Sequence, residues 1–508
     1  ALEAGMDIRT LDGLPELPGR VTPPGEASGI RYDCDVLVIG GGPSGLTAAL
    51  ELADAGLSVL ITDDKSELGG KLVLQTHKFF GSTADCYAGT RGHAIAKLLE
   101  QKVRAHKNIS ILTSAMMAGI YKDRKAGVLL ENKHYALIDF KGLIVSAGAR
   151  ERSLVFPGNH LPGIYGAGAF QTLVNRDLIK ASEQIFIVGS GNVGLIAAYH
   201  ALQADITVKG ICDILPQPGG YRVHADKIQR MGVPVYLCHT ILCAEGKEKL
   251  ERITIAETDE NHRPVLNTAK TFDVDTLLIA VGLAPVDSFY DTAKAFGFPV
   301  VKTGDADEIA EASSAMFGGR IAGLNMAELL GKDIKIDPSF YVKAAVLKSP
   351  PGKSYPRQPL TLTDAFQPVI HCLQEIPCNP CVTACPVNAI QLHPRLNNIM
   401  DVPEYAGGCT GCMQCVAICP GLAITQARTF NRNRAEVVLP YEFIPDFKPG
   451  DTLPLTDMEG QYLEDGIVKK VRFHKASKTH LITLDVSSKH ALNIAGVRVQ
   501  SESATRAL

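Results

Sequence analysis

The 508-residue chain lacks an excess of charge of either sign. Its 51 Lys and Arg nearly balance 54 Asp and Glu, leaving a net charge of −3 and a pI near 6.6. That balance gives no electrostatic footprint for nucleic acid and none for a polybasic membrane contact. Long hydrophobic runs are missing too: no stretch approaches the roughly 20 apolar residues of a spanning helix, so no membrane span is expected. Nothing near the N-terminus reads as a secretory signal, which argues against an oxidising compartment and structural disulfides. Also absent are a nucleophile triad, a zinc motif and a paired-carboxylate signature. What remains is an ordinary globular composition, 46% apolar and 21% charged, in a chain long enough for about three or four domains.

Cysteine is concentrated. Of 13 cysteines, eight fall in two runs that each end in Cys-Pro: Cys372, Cys378, Cys381, Cys385-Pro386 and Cys409, Cys412, Cys415, Cys419-Pro420. The second run is C-x2-C-x2-C-x3-C-P, the bacterial spacing for iron–sulfur ligation. The runs continue alike, as CPVNAI (385–390) and CPGLAI (419–424), which marks an internal repeat. In such modules the fourth cysteine of each run ligates the other run's cluster. The expected ligand sets are therefore Cys372, Cys378, Cys381 and Cys419 for one [4Fe–4S] cluster, and Cys409, Cys412, Cys415 and Cys385 for the other. Five residues rather than two separate Cys372 from Cys378, so Cys372 is the one ligand that regular spacing does not supply. Zinc modules use CxxC pairs, often with His, and do not match tandem runs of this kind. Clusters of this type favour a reducing compartment, and a cytoplasmic location is expected. The scattered Cys34, Cys86, Cys212, Cys238 and Cys243 read as small buried apolar side chains.

Two segments have the form of nucleotide-binding βαβ units. In 35–63, an apolar strand at 36–39 leads into Gly40, Gly42 and Gly45 in G-x-G-x-x-G register. A helix-like segment of small apolar residues follows, from Leu46 to Ala55, with Pro43 and Ser44 among the candidate nucleotide-binding residues, and a second strand delivers Asp63. The first glycine makes the tight turn, the second admits a pyrophosphate against the backbone, and the third lets helix pack on strand. The helix N-terminus attracts the phosphates, and Asp63 stands at the offset of a ribose-binding acid. The unit recurs at 185–213 with Gly189, Gly191, Asn192, Val193, Gly194 and Asp213. A carboxylate there favours NAD(H) over NADP, although Lys209 and Arg222 lie close in sequence. A structural nucleotide such as ATP remains an alternative, because fold does not fix ligand.

Taken in order, these motifs resemble the two-dinucleotide-binding flavoproteins of the pyridine nucleotide–disulfide reductase superfamily. The resemblance covers roughly 33–330. It rests on both glycine motifs, Leu68-Gly69-Gly70, LIVSAGAR (143–150, with Ala147 and Gly148), LLIAVGLAP (277–285) and Thr303-Gly304-Asp305. Residues 216–234 (PQPGGYRVHADKIQRMGVP) are similar more narrowly to alpha-type subunits of proline dehydrogenases, opine oxidases and hydrogen cyanide synthases. The resemblance implies FAD along the first site, with Gly70, Ala147, Gly148, Gly304 and Asp305 around it, and nicotinamide presented from the second. Disulfide reductases of this superfamily carry a redox cysteine pair after the Leu-Gly-Gly turn; here 68–82 contains none. Electrons from the flavin therefore need another outlet, and the clusters provide one. Lys71, His77 and Lys78 fall where the flavin ring is implied. Lys71 is the candidate cation beside it, while His77 reads equally as a solvated loop residue and Lys78 reads as one in preference.

These readings give an α/β chain with two Rossmann-like domains, an α+β ferredoxin-like module and a small β domain. The expected divisions are an arm at 1–32, an FAD domain at 33–180 and 270–330, and a nucleotide domain at 181–269. A connector at 331–369, the cluster module at 370–430 and the β domain at 431–508 complete the chain. The arm reads as extended, wrapping a neighbour or partly disordered. Lys469, Lys470, Arg472, Lys475 and Lys478 read as a solvated strand face, or else as a dock for an acidic partner. The function expected is electron transfer between NAD(H), FAD and two clusters, within a hetero-oligomer containing a partner dehydrogenase subunit, or with ferredoxin. In the alternative the second nucleotide is structural and the chain relays electrons from a partner's flavin. In either case the organic substrate is expected to be oxidised on another chain.

Overall fold

The strand Arg31–Ile39 carries an apolar run because its C-terminal half is buried on both faces. It is central to a seven-stranded sheet, parallel to Val59–Thr62 on one side and to His134–Val145 on the other. The helix Pro43–Asp54 starts directly after the glycine turn with Pro at its first position, where a missing N–H costs nothing. It packs with Gly92–Ala105 and Ala312–Leu329 over the sheet, burying Leu46, Leu52, Ile61, Leu99 and Met326. This computed structural model describes residues 29–500. Apart from 29–32, the expected arm lies outside the described residues.

The second βαβ unit sits in its own parallel sheet, ordered Val235–Leu237, Thr207–Asp213, Gln184–Val188, Thr276–Ile279, Ile164–Gly166. Two of these strands lie outside the 181–269 interval drawn from sequence. Both are short, and strands of that length show too little periodicity to be assigned to a sheet. An antiparallel ribbon, Ala149–Glu151 with Leu283–Pro285, bridges the two domains.

The cysteine module and the C-terminal strands share one antiparallel sheet. It runs Gln367–Ile370, Ile424–Thr429, Arg434–Tyr441, Thr479–Ser487, Tyr462–His474, Thr452–Thr456, Gly496–Val497. The division drawn at 430/431 therefore falls inside a hairpin, between Ile424–Thr429 and Arg434–Tyr441. The architecture remains α/β with two Rossmann-like domains and a ferredoxin-like module, but the β tail extends that module instead of standing apart. Lys469, Lys470, Arg472, Lys475 and Lys478 are exposed. Among the described residues, no helix is long and apolar enough to cross a membrane.

Candidate functional site

The two glycine turns are built alike. Gly40 and Gly189 have φ of +102° and +106°, and a side chain at either would strike a neighbouring backbone carbonyl, of Ser146 or Ala280. Gly45 and Gly194 leave no room for a Cβ against the carbonyls of Gly40 and Gly189. The acids at the strand ends tie the turns down. Asp63 accepts from the Gly41 amide at 2.7 Å and the Lys65 amide at 2.8 Å. Asp213 accepts from the Ser190 amide at 2.6 Å, the Ser190 hydroxyl at 2.7 Å and the Leu215 amide at 3.0 Å. Each acid thus holds the turn beside which a ribose would lie.

A further correspondence escaped the sequence reading. Gly219 and Gly220 follow Asp213 at the same offsets as Gly69 and Gly70 follow Asp63. Each pair folds back over its glycine turn: the Gly69 amide donates to the Gly41 carbonyl, and the Gly220 amide to Ser190. Gly304 packs on Ser44, and Ala147 lies against Gly40, so the residues predicted around FAD converge on one end of the first sheet. Lys71 is exposed in the turn Gly70–Leu74, and its charge acts on Asp305. The backbone at Gly42 and at Gly148 is open, with no close atom where a Cβ would point. This open cradle fits a bound dinucleotide.

The two sites meet at Glu311, which the sequence reading missed. Its carboxylate accepts from the Asn192 side chain at 2.5 Å, at the start of the helix Asn192–Gln203. Burial pushes Glu311 up to about 7, and Asp305 adds to the rise. Asn192 accepts in turn from the Tyr221 amide at 2.8 Å. The Tyr221 ring sits edge-on to Phe80, centroids 5.7 Å apart.

The eight cysteines divide between two cavities. Cys372, Cys378, Cys381 and Cys419 line one, together with Phe80 and Val223. Cys385, Cys409, Cys412 and Cys415 line the other. Asn388 and Leu422 adopt φ of +53° and +50° at matching repeat positions. In the same turns the Ala389 amide reaches Cys385 Sγ at 3.1 Å and the Ala423 amide reaches Cys419 Sγ at 3.3 Å. Gln426 directs its amide at Cys409 and Cys415, 3.8 and 3.7 Å away. Among the described residues no three His, Cys, Asp or Glu side chains gather tightly enough for a single metal ion. Thiols spread around a cavity, met by backbone N–H donors, instead suit a multi-iron cluster. Cys86, the nearest cysteine after 68–82, is buried, and burial pushes its thiol up to about 12. It is a free thiol that donates to the Ser82 carbonyl at 3.0 Å.

The solvated-loop reading of His77 and Lys78 is corrected: they are 3% and 1% exposed. Lys78 lies 2.9 Å from Glu442 in the C-terminal sheet region and donates to the Ala417 carbonyl. Nothing local in 68–82 signals a partner so distant in sequence. His77 contacts His200 at 3.3 Å, and the His224 ring packs on Phe80, centroids 4.6 Å apart. Burial, reinforced by Lys227 and neighbouring cations, lowers all three histidines, His200 to about 3. They fold neutral, whereas the unfolded chain protonates them near the ordinary 6.5. The unfolded state then binds more protons between those values, so stability falls as pH drops below about 6.5. Denaturant unfolding measured across pH 4–7 is expected to show this loss, and His200→Asn to flatten it. An unchanged slope in that variant would remove His200 from the effect.

A double Rossmann core joined to two cysteine cages defines the class, a flavin-dependent oxidoreductase carrying an iron–sulfur module. The model described as pyridine nucleotide-disulphide oxidoreductase matches residues 34–306, more than half of the chain, and the protein belongs to that family. A 4Fe-4S dicluster domain model matches 376–423, leaving Cys372 just outside. Similar curated proteins include hydrogen cyanide synthase subunit HcnB of Pseudomonas aeruginosa, 25% identical over 57% of this chain and 70% of that protein. Sarcosine oxidase subunit alpha of Rhizobium meliloti is 28% identical, over 50% of this chain but only 25% of its own length. Among solved structures, L-proline dehydrogenase from P. horikoshii has a TM-score of 0.48 at 20% identity, covering 65% of this chain and 62% of that one.

Proposed function

We propose that this chain is the electron-transfer subunit of a multi-subunit flavoenzyme, linking NAD(H), FAD and two [4Fe–4S] clusters to a partner dehydrogenase subunit or to ferredoxin. The observation that carries this reading is the lining of the first cysteine cavity. Phe80 reaches it from the segment after the flavin-side glycine pair, and Val223 from the nucleotide domain. That cage is therefore closed by both dinucleotide domains, while Cys412 of the other cage is exposed. FAD interconverts hydride and single-electron chemistry, and the clusters carry single electrons. In this reading Gly40, Gly42, Pro43, Ser44 and Gly45 offer a helix N-terminus to the FAD pyrophosphate. Asp63 holds the ribose side, and Gly70, Ala147, Gly148, Gly304 and Asp305 complete the cradle. Lys71, charged and beside Asp305, is the cation that orients toward the flavin. Gly189, Gly191, Asn192, Val193, Gly194 and Asp213 form the second site. The matched relatives are named as subunits of their enzymes, which supports a hetero-oligomer.

The folded-over Gly219-Gly220 pair favours a second reading. A flap of the kind found on the flavin side suits a nucleotide held permanently, such as ATP. Anaerobic stopped-flow mixing of the purified chain with NADH separates the two. Bleaching of flavin absorbance is expected for NAD(H) at the second site, and its absence would favour the structural nucleotide. Asp213→Ala is expected to weaken NADH binding, because the variant loses a ribose acceptor and releases Ser190. It should also narrow the preference over NADPH, since a carboxylate no longer opposes a 2′-phosphate. An unchanged preference would take Asp213 out of the ribose site.

A further inference from the structure

The helix Arg222–Arg230, inside the 216–234 segment, carries buried charge that a nucleotide site does not explain. Lys227 and Arg230 are 1% and 2% exposed. Among the described residues neither forms an ion pair within 4.0 Å. The carboxylates that act on them are Glu442 and Asp226; Glu442 is in direct contact with Lys78 at 2.9 Å, and Asp226 is shared between Arg230, beyond contact distance, and Arg222 at 3.6 Å. Lys227 Nζ lies 3.9 Å from the Tyr199 ring centroid, and a ring face offsets only part of the cost of burying an ammonium. Arg230 donates through Nη2 to the carbonyls of Gly421 and Leu422, at 3.0 and 3.3 Å, while its Nη1 has no hydrogen-bond partner among the described residues.

Arg230 meets one loop directly, and Cys419, which precedes that loop, acts on the charge of both cations. Gly421 and Leu422 directly follow Cys419-Pro420, and a side chain at Gly421 would collide with Val223, so helix and loop are pressed together. Val223 and Cys419 line the same cavity. Buried cations without a counter-ion are strongly disfavoured. Four thiolates outweigh the positive charge of an iron–sulfur core, so an assembled cluster is an anion and grows more negative on accepting an electron. We propose that Lys227 and Arg230 are the counter-ions of the cluster held by Cys372, Cys378, Cys381 and Cys419, and that they raise its reduction potential. The inference rests on that ligand assignment. Fixed positive charge at short range in a poorly solvated site favours the more negative state. Burial draws the Lys227 ammonium down toward about 7; an adjacent anion draws it back up and keeps it charged. No Lys or Arg lines either cavity, and Asp401 lines the first; but the helix that carries both cations brings Val223 to the first cage and no residue to the second, so the effect is confined to one cluster.

The test is an EPR-monitored redox titration of the full chain carrying Lys227→Met. One cluster's midpoint is expected to fall by about 59 mV or more, a tenfold loss in its one-electron reduction equilibrium, with the other unmoved. Lys227→Arg, which keeps the charge, should leave both near their original values. If Lys227→Met halves the iron content while Lys227→Arg keeps it, the requirement for charge is met in another form. Unchanged potentials at full iron content in Lys227→Met, or iron loss in both variants, overturns the proposal. The ligand assignment fails separately, if the unsubstituted chain itself binds about four irons and not about eight.

Discussion

Replacing Glu442 by alanine is expected to cost about 3–5 kcal/mol of stability, the effect of breaking a buried ion pair from one side. Glu442 is 1% exposed on its side chain and lies 2.9 Å from Lys78 and 3.3 Å from Arg91. It also accepts from the Tyr199 hydroxyl at 2.8 Å and from Thr479 at 3.1 Å. Burial alone would raise its pKa, but Lys78 and Arg91 overcome that and bring it down to about 2. Its contribution is therefore complete above the unfolded value near 4.3 and is lost as pH falls toward about 2. In Glu442→Ala the Lys78 ammonium stays buried without its carboxylate. The paired change Lys78→Met with Glu442→Leu should be milder, because the buried Lys78 ammonium goes with its partner, while Arg91 keeps its bonds to the Thr76 and Lys478 carbonyls. Chemical denaturation of the three proteins checks this. A single variant no less stable than the double one would mean that the pair is not what joins the flavin-side segment to the C-terminal sheet.

This ion pair marks where reading the sequence stops. Gly40, Gly45, Gly189 and Gly194 were legible because a backbone that approaches a carbonyl so closely admits no other residue. The cysteine runs were legible because ligand spacing is local, and their crossed grouping followed from the repeat. Lys78, Lys227, Glu311 and Glu442 were not legible. A charged residue defaults to solvent in any pattern argument, and each of these is kept inside by groups distant in sequence. Lys78, for instance, meets a carbonyl 339 residues away. Domain limits failed for a related reason. Ile164–Gly166 and Thr276–Ile279 are too short to show a period, yet they add parallel strands to the second sheet. The tail looked separate because its alternation is interrupted by turns, although its first strand pairs directly with Ile424–Thr429.

Cys412→Ser is expected to remove one cluster and leave the rest of the molecule working. Cys412 belongs to the run with regular spacing, lines the second cavity and is exposed, so its loss opens little of the core. Iron should fall from about eight to about four per chain, while flavin content stays the same, because Gly40, Gly45 and Asp63 lie in a different sheet. Flavin bleaching by NADH, if the second site takes that nucleotide, should also persist, since the first cage keeps Cys372, Cys378, Cys381 and Cys419 between Phe80 and Val223. Delivery to a protein acceptor should change most. On the proposed route, a partner or ferredoxin would approach the cage that opens at the surface through Cys412, and reduction of that partner should slow by an order of magnitude or more. Small dyes that reach the flavin directly should remain good acceptors. The comparison needs EPR to show which cluster is missing. Partner reduction at the unsubstituted rate, in a protein shown to lack the second cluster, would place the exit elsewhere and leave the exposed cage a structural role.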